Sequence, residues 1–437
     1  MQCVQWNSLD AAARRSALAR PAQSQGSEVR QRVEQIIEQV KHAGDAALRE
    51  LTREIDGVEL ESLQVSEAEF QQAEKLVSDE QKAALDRAIA NVRKFHEAQL
   101  PSAIRVETAP GVICEQLVRP LGSVGLYVPA GTAALPSAVI MLAIPASVAG
   151  CARQVIFTPP DGEGGANAAV LVAARKCGVA EVYKVGGAQA IAAMAYGTES
   201  IPRVDKIFGP GNAWVTAAKM VVSTDPLGCV CDMPAGPSEI MVVADENADA
   251  ELIASDLLSQ AEHGPDSQVV LVTTSQELSE QVQAQLRVQL ATLPRAEIAE
   301  KALQGSRTIL VENLGIAMEV VNAYAPEHLS LQVVEPRVWL ADVQNAGSVF
   351  LGPWTPESVG DYCSGTNHVL PTYGYARSVS GLSLSDFLRR MTVQELSPAG
   401  LMNIGPVAQV MAEMEGLRAH AQAVTLRLAR LSQGESA

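Results

Sequence analysis

Short runs rich in β-branched residues alternate with alanine-rich runs of helical length from about residue 124 onward. Parallel strands joined by crossover helices produce this alternation. The first series of predicted strands comprises Val124–Val128, Gln154–Thr158, Glu181–Val185 and Lys206–Phe208. The second series comprises Glu239–Val243, Gln268–Thr273, Thr308–Val311, Leu329–Val333 and Ser348–Leu351. The sequence therefore predicts an α/β fold with two modules, each built on a parallel sheet.

Helical segments are predicted on both sides of these modules. In about the first 100 residues, one helix runs toward Gly44, and capping boxes at Ser66–Glu69 and Ser78–Gln81 mark the starts of two more. The last segment, from Ser383 onward, also has a helical pattern. We expect this C-terminal segment to contact a partner subunit.

The charge and hydropathy of the chain exclude several classes of partner. The 437 residues carry a formal net charge of −17, which argues against nucleic acid and anionic membranes as partners. The most apolar stretch, Ala138–Ala152, is too short to span a bilayer. The first residues show no signal-peptide pattern, so we expect a cytoplasmic protein.

The number and spacing of the cysteines do not indicate a disulfide framework. There are 7 of them, an odd number, and no two are spaced as C-x-x-C. This usage is typical of reduced cytosolic thiols and argues against disulfides or a structural zinc knot.

Three glycine-containing loops follow predicted strands of the first series. Two are Gly186-Gly187-Ala188-Gln189 and Gly209-Pro210-Gly211-Asn212, and each opens a helix. The third, Tyr127-Val128-Pro129-Ala130-Gly131, ends the first strand. Backbone amides at such positions can hold a phosphate, and ligands bind at the carboxyl ends of strands in open parallel sheets. Tight turns that serve only the fold remain an alternative.

A carboxylate and an imidazole adjoin at Glu327-His328, just before a predicted strand. The chain has only 6 histidines, so this pair is notable. Adjacent groups of this kind are typical of general acid–base catalysis. The alternative is a solvated loop without function.

Further imidazole and carboxylate groups could bind a metal. Gln260 and His263 are three residues apart near the end of a predicted helix and therefore share one face. Asp361 lies in a loop of small residues, and His420 lies on the last long helix. Such ligands without a thiolate suit zinc or manganese. Alternatively, His263 is only a helix C-terminal histidine favoured by the helix dipole.

Seven strings, in order along nearly the whole chain, resemble the histidinol dehydrogenase family. They are Gly125-Leu126-Tyr127-Val128-Pro129, Val185-Gly186-Gly187-Ala188-Gln189-Ala190, Lys206-Ile207-Phe208-Gly209-Pro210-Gly211-Asn212, Asp232-Met233-Pro234-Ala235-Gly236-Pro237-Ser238-Glu239, Leu258-Ser259-Gln260-Ala261-Glu262-His263-Gly264, Pro326-Glu327-His328-Leu329 and Ser364-Gly365-Thr366-Asn367-His368-Val369-Leu370-Pro371-Thr372. Chance agreement in all seven is negligible.

The resemblance implies a role for each matching residue. It assigns one zinc per subunit to Gln260, His263, Asp361 and His420. It places NAD near Tyr127, Gln189 and Asn212, and makes Glu327 and His328 the proton acceptors. The implied substrate contacts are Ser238, Gln260, His263, His328, Asp361, His368, Glu415 and His420. It also implies a homodimer in which the C-terminal segment, with Glu415 and His420, completes the partner's active site.

The resemblance further implies two Rossmann-like, incompletely doubly wound modules with helical N-terminal and C-terminal extensions. The predicted segments are residues 1–22 as an N-terminal arm, residues 23–123 with 238–380 as the module carrying metal and catalytic residues, residues 124–237 as the NAD-binding module, and residues 381–437 as the extension that contacts the partner.

The implied activity is the oxidation of L-histidinol to L-histidine in two NAD-dependent steps through L-histidinal, without a cysteine nucleophile. A dehydrogenase on the same scaffold that acts on another small alcohol, for example a sulfonated one, is the main alternative. Ser238, His368 and Glu415 favour histidinol, because a substrate without imidazole and amine has no need of all three. A zinc hydrolase would leave the glycine loops unexplained, and a non-catalytic metal-binding protein would leave the acid–base pair unexplained.

Three local features depart from the expected pattern or need explanation. Ala130 stands where a second glycine is expected before Gly131, and Cys363 stands where alanine is common. Glu415 and His420 would point about 140° apart on an unbroken helix. We expect a break at Gly416 to help them converge.

Overall fold

The computed structural model describes residues 1–20, 26–130, 134–233 and 236–433 of the chain. Four predictions touch positions outside these described residues: Gly131 at the end of the third glycine loop, Pro234-Ala235 in one matching string, the segment boundary after residue 22, and the end of the C-terminal extension at residues 434–437. The chain forms two compact units. The first comprises Met1–Gln99 and Leu121–Phe387, and the second comprises Leu100–Pro120 and Leu388–Ala437.

Strands and helices alternate through most of the first unit, as predicted. The strands, numbered along the chain, are β1 Gln2–Gln5, β2 Ile104–Ala109, β3 Val112–Pro120, β4 Ser123–Tyr127, β5 Arg153–Thr158, β6 Glu181–Lys184, β7 Lys206–Phe208, β8 Val230–Cys231, β9 Glu239–Ala244, β10 Gln268–Thr273, β11 Arg307–Leu310, β12 His328–Gln332, β13 Ser348–Leu351 and β14 Leu388–Leu396. The helices are α1 Ala11–Ala17, α2 Gly26–Ile55, α3 Glu67–Leu76, α4 Asp79–Glu97, α5 Pro136–Ala149, α6 Ala168–Lys176, α7 Gly187–Tyr196, α8 Ala213–Thr224, α9 Ala250–Ala261, α10 Gln276–Leu290, α11 Ala296–Gln304, α12 Leu314–Tyr324, α13 Glu357–Tyr362, α14 Pro398–Met414 and α15 Arg418–Ser432.

A five-stranded sheet in the first unit has the order β6-β5-β4-β7-β8, and all neighbouring strands are parallel. Counted from β4, this order is 3-2-1-4-5, which is the doubly wound order without its sixth strand. The chain changes direction across the sheet at β4, which pairs with β5 on one side and β7 on the other. Tyr127 ends β4 and Gly209 follows β7, so two predicted loops meet at this switch point.

A six-stranded sheet, also in the first unit, has the order β1-β11-β10-β9-β12-β13 and is parallel throughout. Counted from β9, five of its strands repeat the 3-2-1-4-5 order. All residues of β9 and β12, two adjacent central strands, are buried. The prediction of two parallel α/β modules is confirmed.

The N-terminal strand β1 corrects the prediction that the N-terminal segment is helical throughout. Gln2–Gln5 pairs in parallel with Arg307–Leu310 at one edge of the six-stranded sheet. The hydrogen bonds that stabilise this strand come from a partner far away in sequence, and its own side chains are mostly exposed. The local pattern therefore contains too little information to predict it.

The predicted helix break at Gly44 and the two predicted capping boxes are confirmed. Gly44 has non-helical backbone angles (φ 51°, ψ −128°) within α2, so the helix that runs toward this glycine is interrupted there. The Ser66–Glu69 and Ser78–Gln81 capping boxes are both formed. Each hydroxyl accepts a backbone N–H that would otherwise have no partner in the first helical turn.

The helices between residues 26 and 97 pack on the five-stranded sheet. Leu48 of α2, for example, shares a buried core with Ile191 of α7. The sequence groups residues 23–123 with residues 238–380, and the boundaries of that grouping remain a prediction.

The most apolar stretch of the chain forms α5, in which every residue from Ser137 to Ala146 is buried. This helix packs between neighbouring helices and the five-stranded sheet, which explains why it lacks a polar face. Among the described residues, no helix combines the length and the apolar character needed to cross a bilayer.

The second unit corrects another prediction. It contains an antiparallel sheet with the order β14-β3-β2, followed by α14 and α15. The segment from Ser383 onward is therefore not helical throughout, because Leu388–Leu396 pairs with Val112–Pro120. Again, the partner strand is distant in sequence. The expected break is present: α14 ends at Met414, and Gly416 takes a left-handed conformation (φ 71°) before α15 begins.

Replacing Gly209 tests the close approach of β4 and β7. Gly209 has φ +124°, and a Cβ atom there would lie 2.2 Å from the Tyr127 carbonyl oxygen. We expect Gly209→Ala to destabilise the fold by about 2–4 kcal/mol and to lower the melting temperature by several degrees. Gly162→Ala is the control, because a Cβ atom there would meet nothing within 4 Å. Equal melting temperatures for the two variants would contradict the prediction.

Candidate active site

The Glu327–His328 pair lies at the edge of the six-stranded sheet where its strands begin. Glu327 immediately precedes β12 and His328 is its first residue, and their exposed fractions are only 5% and 3%. A helix that follows a parallel strand runs back along the sheet, so its last turn returns to this edge. The ends of α9 and α13 accordingly bring His263 and Asp361 into electrostatic range of His328. The alternative of a solvated loop is wrong for this pair.

The ring of His328 is held by one directed hydrogen bond. Its Nδ1 lies 3.2 Å from the backbone carbonyl oxygen of Glu239, to which it donates. This bond leaves the Nε2 lone pair of a neutral ring available, and Nε2 lies 3.4 Å from Oδ1 of Asp361. Burial lowers the pKa of His328, but Glu327, Glu357 and Asp361 together raise it well above its usual value. The ring is therefore placed to bind and release a proton at Nε2.

The carboxyl group of Glu327 is held by the same backbone residue. The amide N–H of Glu239 donates to Oε2 of Glu327 over 2.8 Å, and this oxygen lies 3.5 Å from Nδ1 of His328. Burial raises the pKa of Glu327 to about 8, although the neighbouring His328 lowers it. A carboxyl group with a pKa near neutral pH is suited to general acid–base catalysis.

A cluster of possible metal ligands adjoins the pair. The ligand atoms of His328, Glu357 and Asp361 lie within 4.8 Å of one another. His368 donates from Nδ1 to the Asp361 carbonyl oxygen over 2.8 Å, which leaves its Nε2 for another partner. Burial raises the pKa of Glu357 to about 8, whereas interactions with His328 hold the pKa of Asp361 below its usual value despite the desolvation that raises it. Asp361 is therefore the carboxylate that stays ionised in this cluster.

Gln260 and His263 at the end of α9 have side chains without a described hydrogen bond, and His263 lies within electrostatic range of Asp361 and His328. Gln260 is fully buried, yet neither its amide oxygen nor its amide nitrogen has a hydrogen-bond partner among the described residues. Leaving such a group without a partner costs about 1–3 kcal/mol, so a water molecule or an ion bound at this amide would be stabilised. Desolvation by surrounding protein atoms lowers the pKa of His263, although the residue as a whole is exposed, and this shift favours the neutral ring. A neutral imidazole and an amide oxygen can both bind a cation.

The predicted cofactor residues lie at the carboxyl ends of the strands of the five-stranded sheet, whereas the acid–base pair lies at the amino ends of the strands of the six-stranded sheet. The hydroxyl of Tyr127 accepts the Gly187 amide over 3.1 Å and so links two of the loops. Gln189 is 1% exposed, and both polar atoms of its amide lack partners among the described residues. Asn212 is exposed and caps α8 by accepting from the amides of Trp214 and Val215. The buried, unpaired amide of Gln189 is the strongest sign of a ligand here.

A buried ion pair supports the Gly209 loop and was not predicted. Lys219 forms an ion pair with Asp232, and its Nζ also donates to the Gly209 carbonyl oxygen over 3.0 Å. Asp232 in turn accepts the Gly209 amide over 2.8 Å. These two side chains hold the loop from both sides and so stabilise the turn that ends β7.

Burial keeps four of the cysteines in the form of protonated thiols. None of the 7, all of which lie in described parts of the chain, forms a disulfide. Burial raises the pKa of Cys151 and Cys231 to about 11 and that of Cys177 and Cys229 to about 12. Thiols with such values are protonated at neutral pH and are poor nucleophiles.

Three predicted substrate residues are not joined to the cluster by a described contact. Ser238 is half-buried and directly precedes Glu239 at the start of β9. Glu415 and His420 are exposed residues of the second unit. Glu415 caps the end of α14, and His420 lies in the first turn of α15. The roles of all three remain predictions.

Three residues around the site were missed. Glu357 lies four positions before Asp361 on α13, and this spacing on one helical face could have revealed it. Arg20 and Glu239 form a buried ion pair with Nε to Oε2 at 2.6 Å. No sequence pattern links positions so far apart, so this pair could not have been found without the fold.

Comparison with known proteins agrees with this geometry. The sequence model of the histidinol dehydrogenase family matches residues 18–428. Histidinol dehydrogenase of Vibrio vulnificus is 54% identical over 99% of both chains, and that of Xanthomonas euvesicatoria is 55% identical over 98% of this chain and 99% of its own. The crystal structure of histidinol dehydrogenase from Elizabethkingia anophelis superimposes with a TM-score of 0.94 at 44% identity, covering 99% of both chains.

These matches support the main sequence interpretation and give no support to a dehydrogenase for another alcohol. They span the whole length of the relatives, so both modules and the C-terminal unit have counterparts in those proteins. The chain therefore belongs to the histidinol dehydrogenase family of oxidoreductases.

Proposed function

We propose that the protein oxidises L-histidinol to L-histidine through L-histidinal, with two molecules of NAD, as the last steps of histidine biosynthesis. The observation that carries this proposal is the buried Glu327–His328 pair, whose imidazole directs Nε2 toward Oδ1 of Asp361 at 3.4 Å. The names of the relatives support the substrate.

The metal in this proposal is zinc, with one ion per chain bound by Gln260, His263 and Asp361 and by His420 of a second copy. The donor set fits, because the amide of Gln260 lacks any other partner among the described residues and Asp361 stays ionised. One carboxylate against a divalent ion leaves a net positive charge of about one, which favours neutral lone-pair donors. When bound, the ion would position the imidazole and amine nitrogens of the substrate.

NAD binds in this proposal at the carboxyl edge of the five-stranded sheet, near Tyr127, Gln189 and Asn212. The switch point of a doubly wound sheet favours a dinucleotide there, and the unpaired amide of Gln189 supplies both a donor and an acceptor. When bound, NAD would accept the hydride from the carbon that carries the hydroxyl group.

His328 takes the alcohol proton at Nε2 in the first step while its ring is neutral. Because Glu327, Glu357 and Asp361 raise the pKa of this ring, the step becomes faster as the pH rises through that pKa. The Nδ1–H bond to the Glu239 carbonyl keeps the ring in the required tautomer and stabilises the imidazolium that forms. In the second step Glu327 takes a proton from a water molecule that attacks the aldehyde and gives its hydrate. His328 then acts as the base again while the hydrate is oxidised to the carboxylate.

The active enzyme in this proposal is a cytoplasmic homodimer. The second unit has exposed apolar side chains on α14, including Val407, Val410 and Met414, which is 82% exposed. Apolar surface of this kind favours a protein interface. Glu415 and His420 would then complete the partner's site, where Ser238 and His368 contact the substrate.

The Glu327→Gln variant tests whether Glu327 and His328 act in different steps of the reaction. We expect aldehyde oxidation to fall by about 10²-fold or more, because an amide cannot take a proton from water. Oxidation of histidinol to histidinal should change little, since His328 carries that step. NADH formation is measured separately with L-histidinol in a single turnover and with L-histidinal. Exposed Glu319 on α12 supplies the control Glu319→Gln, and equal losses in both steps would contradict the assignment.

Metal content distinguishes the two candidate ligand sets. If Gln260, His263 and Asp361 bind the ion, Asp361→Asn should weaken zinc binding by at least about tenfold. Glu357→Gln should keep its zinc, because Glu357 lies outside that set although it belongs to the three-residue cluster.

Zinc per chain is measured by mass spectrometry after dialysis, with Asp342→Asn on the surface as the control. Loss of zinc in Glu357→Gln, with retention in Gln260→Met, would contradict this ligand set and would indicate that the ion binds to the cluster of His328, Glu357 and Asp361.

A further inference from the structure

One residue connects both members of the acid–base pair through its backbone. The amide N–H of Glu239 donates to Glu327 over 2.8 Å, and its carbonyl oxygen accepts from His328 at 3.2 Å. Glu239 is the first residue of β9, and Ile240 is paired in register with His328 on β12. The position of this one peptide segment therefore sets the orientation of both functional groups.

The side chain of Glu239 is itself anchored by a buried network. Arg20 donates from Nε to Oε2 over 2.6 Å and from Nη2 to Oε1 over 2.8 Å, so the carboxylate is held at both oxygens. The hydroxyl of Tyr324 lies 3.2 Å from Oε2 and 2.8 Å from Oε1 of Gln268 on the neighbouring strand. The side chains of Arg20 and Glu239 are only 8% and 3% exposed.

The same guanidinium group also fixes the segment that leads into the pair. Nη2 of Arg20 donates to the backbone carbonyl of Tyr324 over 3.0 Å, and its guanidinium carbon lies 3.9 Å from the centre of the Tyr324 ring. Tyr324 ends α12 and precedes Glu327 by three residues, through Ala325 in a left-handed conformation (φ 54°). Arg20 therefore links the start of β9, which binds the acid–base pair, to the end of α12, which leads into it.

We propose that Arg20, Glu239 and Tyr324 are positioning residues that set the geometry of the Glu327–His328 pair. The proposal rests on the proposed function, because it assigns the network to the chemical step of that reaction. A buried ion pair is weak evidence for stability, since apolar residues of similar size stabilise a core equally well. Directional hydrogen bonds are needed where functional groups must be held within about 0.5 Å of a productive arrangement.

Conservative variants test this without removing the buried charge. Arg20→Lys keeps the charge but loses the two-pronged contact, and Tyr324→Phe keeps the ring but loses the hydroxyl. We expect each to lower kcat for histidinol by about tenfold, with KM for histidinol and NAD changed less than about twofold, because misplacement acts on the chemical step. Arg14→Lys is the matched control, since Arg14 also stacks on an aromatic ring, at 5.0 Å from the centre of Trp6.

The double variant tests whether the two residues act through Glu239. Residues that act through one group give losses in kcat that are smaller than the product of the single losses, whereas independent effects multiply. A purely structural role would lower the melting temperature and leave kcat per folded chain unchanged. Wild-type kcat in either single variant, or full multiplication in the double variant, would overturn the proposal.

Crystal structures of wild type and Arg20→Lys separate this proposal from the proposed function. We expect the Glu239 bonds to Glu327 or to His328 to lengthen beyond hydrogen-bonding distance in the variant. Unchanged bonds would overturn the positioning role even if kcat falls. Wild-type protein inactive with histidinol would overturn the proposed function, and the crystallographic comparison would still decide this proposal.

Discussion

The start of β9 is the constraint on which the site depends. This strand lies at the centre of the six-stranded sheet, between β10 and β12, and all its residues are buried. Its first residue, Glu239, uses the backbone N–H and C=O that face β12 to bind the acid–base pair. A central strand cannot shift without breaking its hydrogen bonds to the strands on both sides. The two hydrogen bonds from Glu239 to the pair are therefore held in place by the sheet.

The two sheets share one strand order but place functional groups at opposite edges. In the five-stranded sheet the glycine loops follow the strand ends, where helix N-termini favour anions. In the six-stranded sheet the acid–base pair lies where strands begin, and the C-terminal ends of α9 and α13 return there. Those helix ends carry partial negative charge, which favours a cation beside Gln260 and Asp361. The same topology thus suits a dinucleotide in one module and a metal in the other.

Much of this arrangement could be predicted from local sequence. The alternation of strands and helices, the capping boxes, the loop at Gly209 and the adjacency of Glu327 and His328 are all encoded within a few residues. The strands β1 and β14 could not be predicted, since each depends on a partner strand far away in the chain. The contact between Arg20 and Glu239 was inaccessible for the same reason. Glu357 is different, because its spacing from Asp361 on one helix was visible in the sequence.

The number of NADH molecules formed per substrate tests most directly whether this protein carries out both oxidations. Purified, zinc-loaded protein is given a limiting amount of L-histidinol with excess NAD, before and after chelation of the metal. We expect two NADH and one L-histidine per histidinol, with turnover lost on chelation and restored by zinc. A single NADH with accumulation of histidinal, or no NADH from a folded and metal-loaded sample, would contradict it.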